Sequence, residues 1–226
     1  MRRAFRQPED ASLTGKLQSV RFRGPAGALE GLWKEPVGAP RGAAVFAHPH
    51  PRFGGTMHNK VVYRAAQSLA RAGFATLRFN FRGVGLSEGR YDALRGEVDD
   101  FRAALDEAER HAGLPVVAGG FSFGAAAALR AIAGDRRVEA AIALGLPLAT
   151  ESGAGTPRPA VPTLYAAGAN DTYGPPDLLA RFVGGAGEIV VVPGTDHFFE
   201  GALDALGEAL DGFLARLPAR GAGAPA

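Results

Sequence analysis

Short apolar segments alternate with longer segments of mixed polarity along most of this chain of 226 residues. Six of the apolar segments have the length of strands that are buried on both faces of a parallel sheet. They occupy residues 43–47, 74–79, 115–119, 138–144, 163–167 and 188–192. The intervening segments predict helices at residues 57–72 (capped by Thr56), 93–111, 125–134, 176–183 and 199–217. This alternation predicts an α/β protein with a mostly parallel, twisted sheet and helices on both of its faces.

The beginning of the chain has a different pattern. Residues 17–23 alternate between apolar and polar, and residues 29–34 form a second short strand after a Gly-Pro-Ala-Gly turn. These features predict an antiparallel hairpin at one edge of the sheet. We expect the chain to divide into a loose leader (1–15), a single domain (16–217) and a disordered tail (218–226).

Composition narrows the range of functions. The chain is 46% hydrophobic and 21% charged with a net charge of +2, which gives no reason to expect a nucleic-acid or anionic-membrane partner. The absence of cysteine excludes disulfides, thiolate catalysis and thiolate metal sites. The N-terminus has basic residues without a following apolar region, and no apolar run approaches the roughly 18 residues needed to span a bilayer. These observations favour a cytoplasmic protein that acts on a small molecule and does not bind a membrane.

The segment Gly120-Phe121-Ser122-Phe123-Gly124 lies between a predicted strand and an alanine-rich predicted helix. The pattern G-x-S-x-G in this setting is the nucleophile elbow, a sharp turn that exposes a serine hydroxyl at the carboxyl end of a strand. Residues two before and two after the serine must be very small, because their side chains would collide across the turn. Ser122 is therefore a candidate nucleophile.

A nucleophilic serine needs a base that takes its proton and a third group that orients the base. Asp171 and His197 follow two later predicted strands, so both can meet Ser122 at the carboxyl edge of the sheet. Asp177 is a weaker candidate acid, since acidic residues are common in the first turn of a helix. Asp196 neighbours His197 in sequence and should point away from it, capping the last helix instead.

The negative charge that develops on a substrate carbonyl needs two hydrogen-bond donors. The backbone N–H of Phe123 is one candidate, because it directly follows the nucleophile at the start of a helix. The second should come from the proline-containing loop after residues 43–47, where the prolines have no N–H. His50 is the natural donor, with Arg52 or Phe53 as alternatives.

Two other motifs have competing interpretations. His48 and His50 could form a metal pair, but no carboxylate follows at ligand spacing, and His48 is better explained as a structural brace of its loop. The segment Gly83-x-Gly85-x-Ser87 lacks the remaining residues of both common nucleotide-binding loops. It is better explained as a tight loop beside the candidate active site.

Taken together, these motifs resemble the α/β-hydrolase superfamily, and more narrowly the small bacterial lid-less serine hydrolases of the dienelactone-hydrolase-like kind. The resemblance rests on His48-Pro49-His50-Pro51-x-x-Gly54-Gly55-x-Met57-x-Asn59, Asn80-x-Arg82-Gly83-x-Gly85-x-Ser87, the elbow, Gly168-x-x-Asp171 and Gly194-x-Asp196-His197-Phe198-Phe199. It implies a three-layer α/β-hydrolase fold, a triad of Ser122, Asp171 and His197, and an esterase-like activity without a cofactor. Classical dienelactone hydrolases use a cysteine nucleophile, so the absence of cysteine argues against dienelactone as substrate.

The resemblance also bears on access to the site. In this superfamily a cap domain is usually inserted after the strand that follows the elbow helix. Here the corresponding interval, residues 147–162, is only a loop, so we expect no cap and an open, shallow site for small or short-chain acyl groups. Five phenylalanines could line this site or could equally pack in the core: Phe53, Phe121, Phe123, Phe198 and Phe199.

The sequence thus predicts a serine hydrolase that transfers a small or short-chain acyl group from an ester or thioester to water. Three alternatives remain open: a peptidase on the same fold, an acyltransferase, and a catalytically silent binding protein that has kept the fold. Fold alone does not distinguish these functions.

Overall fold

The computed structural model describes residues 15–112 and 115–218. The predicted leader and the predicted tail lie outside these ranges, apart from Gly15 and Pro218. Within the described part of the chain, eight strands form one sheet in the order β1-β2-β4-β3-β5-β6-β7-β8. The strands are β1 (Leu17–Gly24), β2 (Gly27–Lys34), β3 (Gly42–Ala47), β4 (Phe74–Phe79), β5 (Val116–Phe121), β6 (Val138–Leu144), β7 (Thr163–Gly168) and β8 (Glu188–Val192).

Six of the strands, β3 to β8, run parallel to one another. The first strand, β1, pairs antiparallel with β2, and β2 pairs antiparallel with β4. The mostly parallel sheet and the N-terminal hairpin at its edge are therefore confirmed. Because the carboxyl ends of the parallel strands share one edge, the loops that follow them meet there.

Helices cover both faces of the sheet, as predicted. They are α1 (Lys60–Arg71), α2 (Arg95–Ala112), α3 (Phe123–Ala131), α4 (Pro176–Val183) and α5 (Leu203–Arg216). Helices α2, α3 and α4 pack in one core layer, and α1 and α5 pack in the other. Neighbouring residues of β3 point into opposite layers, Val45 into the first and Phe46 into the second. A strand that supplies both layers must be apolar throughout, which explains the uninterrupted apolar runs.

The start of α1 differs from the prediction. The helix begins at Lys60 rather than at residue 57, and its N-cap is Asn59 rather than Thr56. The Asn59 side-chain oxygen accepts a hydrogen bond from the backbone N–H of Val61 at 2.9 Å. An asparagine in this position satisfies a donor that the first helical turn leaves free.

The predicted start of α5, residue 199, was also wrong, by four residues. Phe199 has a positive φ of 52°, which a continuous right-handed helix does not allow, and the helix begins only at Leu203. Asp196 does not cap it, because the N-cap is Ala202 and has no side-chain bond. The Asp196 carboxylate instead accepts a hydrogen bond from the N–H of Phe198 at 2.9 Å, closing a turn after β8.

The interval between β6 and β7 contains turns but no helix, so the absence of a cap is confirmed. The carboxyl edge of the sheet is covered there only by the loop at residues 147–162. Within residues 15–112 and 115–218, no helix combines the length and the hydrophobicity that crossing a bilayer requires.

A buried ion pair anchors the loop after β4. The Arg82 guanidinium binds both oxygens of Asp100 on α2, at 2.9 and 2.8 Å, and the Arg82 backbone N–H adds a third bond at 3.0 Å. The Asp100 side chain is completely buried. Gly96 leaves room for the pair, since a Cβ there would lie 1.9 Å from an Arg82 nitrogen.

We predict that Asp100→Asn lowers the free energy of unfolding by about 3–5 kcal/mol, because it leaves the Arg82 charge buried without its partner. The adjacent Asp99→Asn is the matched control, since it breaks the half-exposed pair of Asp99 with Arg102. That change should alter the unfolding free energy by no more than about 0.5 kcal/mol. Urea denaturation of both variants provides the measurement. Equal losses of unfolding free energy in the two variants would show that the buried pair contributes no more than the exposed one.

Candidate active site

The turn between β5 and α3 places Ser122 in a strained conformation. Its backbone angles are φ 55° and ψ −119°, a region that costs a non-glycine residue about 1–3 kcal/mol. The Ser122 N–H donates to the Leu144 carbonyl at 2.8 Å and ties the turn to β6. A Cβ at Gly120 would lie 2.3 Å from the carbonyl carbon of Gly124, so the turn has no room for a side chain there. The turn therefore has the geometry that the G-x-S-x-G pattern predicts.

A continuous chain of hydrogen bonds joins the three side chains that the sequence singled out. Ser122 Oγ lies 2.9 Å from His197 Nε2, and His197 Nδ1 lies 2.8 Å from Asp171 Oδ2. The carboxylate accepts a hydrogen bond from the Nδ1–H group, so the ring proton stays on Nδ1. Nε2 is therefore unprotonated and can accept a hydrogen bond from the serine hydroxyl. His197 and Asp171 are only 4% and 3% exposed, although no cap covers them.

The two alternative carboxylates lie elsewhere. Asp177 forms an exposed ion pair with Arg181 on α4. Asp196 is exposed and binds the backbone N–H of Phe198. Only Asp171 of the three candidates contacts His197. The second oxygen of Asp171, Oδ1, accepts hydrogen bonds from the backbone N–H groups of Tyr173 and Gly174 at 2.8 and 2.9 Å. These bonds fix the orientation of the carboxylate.

The loop after β3 forms a short 3₁₀ helix at Pro51–Phe53. The Arg52 N–H donates to His50 Nδ1 at 3.2 Å, and the Phe53 N–H donates to the His50 carbonyl at 3.1 Å. Because Nδ1 of His50 accepts, its Nε2 carries the proton and donates to the Tyr91 hydroxyl at 3.2 Å. Burial and the nearby Arg52 charge lower the pKa of His50, which favours this neutral form.

His48 braces the same loop, as expected. It is completely buried, and its Nε2 accepts a hydrogen bond from the backbone N–H of Phe81 at 3.1 Å. Its Nδ1 then donates to the Pro49 carbonyl at 2.6 Å. Burial lowers the pKa of His48 to about 4, so the ring is neutral near pH 7. No cluster of potential metal-ligand side chains occurs among the residues that the structure describes.

The glycine-rich loop after β4 connects the sheet edge to the loop after β3. The Ser87 hydroxyl donates to the Asn80 carbonyl at 2.7 Å and accepts from the Glu30 N–H at 2.9 Å. The Asn80 side-chain oxygen in turn accepts a hydrogen bond from the Met57 N–H at 2.8 Å. This pattern ties the β4 loop to β2 and to the segment before α1, and it gives the Ser87 hydroxyl a structural role.

A cleft of about 750 Å³ opens above Ser122. Four of the five suggested phenylalanines line it, namely Phe53, Phe121, Phe123 and Phe198. Phe199 does not, and this part of the prediction was wrong. Its positive φ turns the ring into the core, where it is completely buried and packs 6.2 Å from the ring of Phe121.

Sequence reasoning missed two tyrosines of the cleft, Tyr91 and Tyr173. Both lie in loops at the carboxyl edge of the sheet, after β4 and β7 respectively. An aromatic residue in a loop at that edge was the available signal. The cleft is also lined by Arg52, Thr150, Glu151 and Ser152, which have no distinguishing pattern in the sequence.

Comparison with known proteins identifies the family of this chain. A family model described as serine aminopeptidase, S33, matches residues 38–149, which include the elbow. A solved α/β serine hydrolase homologue from Coxiella burnetii is 38% identical, with a TM-score of 0.80 over 86% of this chain and 95% of its own. The chain belongs to the lid-less α/β serine hydrolases.

Two further relatives are similar to this hydrolase over most of its length. XC6422 from Xanthomonas campestris, described as an α/β serine hydrolase without a lid, is 31% identical with a TM-score of 0.82, over 89% of this chain and 94% of its own. The protein RP471 of Rickettsia prowazekii is 32% identical over 213 residues, 88% of this chain and 89% of the relative. The similarity extends over nearly the whole length of each protein.

The lowered pKa of His48 predicts a pH-dependent stability. The unfolded chain binds the proton more readily than the folded one, so the free energy of unfolding falls as the pH decreases from about 6.5 to about 4. At ~1.4 kcal/mol per pH unit, the loss over this window is about 3 kcal/mol. His48→Gln should remove this contribution, and urea denaturation across the window measures it.

His58→Gln, at an exposed histidine, is the matched control and should keep the wild-type pH dependence. Buried Glu97, whose pKa is raised by burial, acts with the opposite sign, because its stabilising effect is lost as the pH rises. Glu97 is present in the wild type and in both variants, so its contribution to the pH dependence cancels when the three proteins are compared. A His48→Gln protein that loses stability as steeply as the wild type would refute the assignment.

Proposed function

We propose that this hydrolase cleaves small or short-chain carboxylic esters or thioesters through a catalytic triad of Ser122, His197 and Asp171. The observation that carries the proposal is the hydrogen-bond chain from Ser122 Oγ through the imidazole to Asp171, with distances of 2.9 and 2.8 Å. A nucleophile within hydrogen-bond reach of a base, and a base oriented by a carboxylate, is the arrangement that activates serine.

In the first half of the reaction, His197 Nε2 takes the Ser122 proton while Oγ bonds to the carbonyl carbon. The resulting tetrahedral intermediate collapses when His197 returns the proton to the leaving oxygen or sulfur and its bond to carbon breaks. Water then repeats the sequence on the acyl-enzyme and releases the acid. A positioned base of this kind contributes about 10²–10⁴-fold in rate.

The backbone N–H groups of Phe123 and His50 are the proposed donors to the oxyanion. The Phe123 N–H is the first of α3 and has no acceptor within its helix. Of the three candidates in the loop after β3, Arg52 and Phe53 already donate within the loop, which favours His50. Its loop packs against the start of α3, since a Cβ at Gly124 would lie 2.4 Å from the His48 carbonyl oxygen.

The proposed preference for small or short-chain acyl groups rests on the absence of a cap over the cleft. The loop at residues 147–162 has no helix that could close over a long acyl chain. Interfacial activation on long-chain triglycerides would contradict this part of the proposal.

A peptidase is the second candidate, because the matching family model describes a serine aminopeptidase. One carboxylate, that of Glu151, lines the described part of the cleft and supplies a negative charge with which an amino terminus would pair. Hydrolysis of alanine p-nitroanilide compared with p-nitrophenyl acetate separates the two functions. Faster turnover of the anilide would replace the esterase proposal.

We predict that Ser122→Ala lowers kcat by at least about 10³-fold across a series of p-nitrophenyl esters of increasing chain length, because Ser122 carries the hydroxyl that is hydrogen-bonded to His197. A fluorophosphonate probe should label the wild type and fail to label this variant. Ser152→Ala removes a second hydroxyl from the same cleft and should keep the label. A folded wild-type protein that resists labelling would refute the enzyme assignment.

We predict that Asp171→Asn lowers kcat by about 10³–10⁴-fold, because the amide no longer holds the His197 tautomer that accepts from serine. The same substitution at Asp177, the alternative acid on α4, should change kcat by no more than about 2-fold. Steady-state kinetics on p-nitrophenyl acetate provide the measurement. A large loss at Asp177 with a small one at Asp171 would reverse the assignment.

A further inference from the structure

The order of the strands divides the cleft into two halves. Strand β5, which ends at Ser122, has β3 and β4 on one side and β6, β7 and β8 on the other. The loops after β3 and β4 supply His50 and Tyr91, and the loops after β7 and β8 supply Tyr173 and Phe198. Any group bound at Ser122 therefore faces a different set of side chains on each side.

The aromatic contacts follow the same division. Phe123 packs against His50 and Tyr91, with ring centroids 4.9 and 6.0 Å apart. Phe121 packs against His197 at 5.3 Å. The residues on either side of Ser122 thus belong to different aromatic clusters, and no ring contact within the described residues joins the two.

The half of the cleft that is formed by the loops after β7 and β8 surrounds the imidazole of His197. The Tyr173 ring lies 4.6 Å from it and the Phe198 ring 5.4 Å, and these two rings meet each other edge to face at 6.2 Å. They explain why His197 is buried without a cap. Tyr173 and Phe198 are themselves 45% and 49% exposed, and their free surfaces line the cleft.

Tyr173 is held in place before any substrate binds. Its N–H donates to Asp171 Oδ1 at 2.8 Å, and its carbonyl accepts the Ala149 N–H at 2.8 Å. The carboxylate that orients His197 therefore also fixes the backbone that carries the tyrosine ring. A ring on a fixed backbone that already packs against His197 loses less conformational entropy when it packs against a ligand.

The chemistry of the proposed reaction assigns this half to the leaving group. His197 returns its proton to the leaving oxygen or sulfur, so that atom must lie within hydrogen-bond distance of Nε2. The substituent on that atom consequently passes the rings beside the imidazole, Tyr173 and Phe198. The oxyanion lies toward the backbone N–H of His50, on the other side of Ser122.

We propose that Tyr173 and Phe198 form a leaving-group subsite that selects esters and thioesters of aromatic alcohols or thiols. The inference rests on the proposed esterase function and specifies its substrate class. Arg52, the one lysine or arginine in the described cleft lining, lies over the Tyr91 ring at 5.8 Å and belongs to the other half. The subsite has no cation for an anionic leaving group, which favours a neutral aromatic ring.

Two pairs of esters test the subsite. Benzyl acetate and cyclohexylmethyl acetate differ only in the aromaticity of the leaving group, and ethyl phenylacetate and ethyl cyclohexylacetate differ in the same way on the acyl side. For the wild type we expect kcat/KM to favour benzyl acetate by about 3–10-fold, the range given by a packed aromatic pair. Because kcat/KM covers acylation, it reports on the step in which the leaving group departs.

Tyr173→Leu keeps apolar bulk but removes the ring, and it should bring the leaving-group ratio toward 1 while the acyl-side ratio stays unchanged. Tyr173→Phe retains the ring and should retain the ratio. Phe198→Leu should lower the same ratio, and it tests the subsite independently if Tyr173→Leu does not fold. Phe53→Leu, at an exposed ring of the other half, is the control and should leave the leaving-group ratio unchanged.

A wild-type leaving-group ratio near 1, or an equal loss in Phe53→Leu and Tyr173→Leu, would overturn the subsite. An equal change in the acyl-side ratio on removing Tyr173 would also overturn it. If the wild type hydrolyses none of the four esters and takes no fluorophosphonate label, the proposed function fails and the subsite fails with it. Hydrolysis of all four without aromatic preference would refute the subsite alone.

Discussion

The close approach of backbone to backbone around Ser122 is the constraint on which the cleft depends. A Cβ at Gly120 would overlap the carbonyl carbon of Gly124, and a Cβ at Gly124 would overlap the His48 carbonyl oxygen. Strand β5, the start of α3 and the loop after β3 therefore touch without side chains between them. This contact brings the Ser122 hydroxyl, the first N–H of α3 and the β3 loop to one point, at the expense of about 1–3 kcal/mol of strain at Ser122.

Asp171 holds together the half of the cleft that is formed by the loops after β7 and β8. One of its oxygens binds His197, and the other binds the N–H groups of Tyr173 and Gly174. A buried carboxylate is stable only when such bonds replace water, so the loop after β7 and the imidazole are held by the same group. The orientation of the proposed base and the shape of the surface beside it are thus physically linked.

Hydrogen bonds of buried polar groups tie together the loops beneath the cleft. His48 links the loop after β3 to the backbone of Phe81, and Asn80 links the segment before α1 to the β4 loop. These bonds lie in a water-poor interior, where breaking one leaves a costly unpaired group. The aromatic rings of Tyr173 and Phe198 pack beside His197 and limit the access of water to it.

The sequence by itself predicted a mostly parallel sheet with an N-terminal hairpin, the elbow and the meeting of Ser122, Asp171 and His197, since each depends on local spacing along strands that all end at one edge. The absence of a cap followed from the family resemblance together with the short interval at residues 147–162. The tertiary structure decided which aromatic residues line the cleft. Phe199 turned inward because of one backbone angle, and Asn59 rather than Thr56 ended the loop before α1. Tyr91 joined the cleft through its bond to His50, and Tyr173 through the packing of its ring against His197, and both contacts link distant parts of the chain. No local pattern encodes such contacts, because they arise only when separate loops are brought together by the sheet.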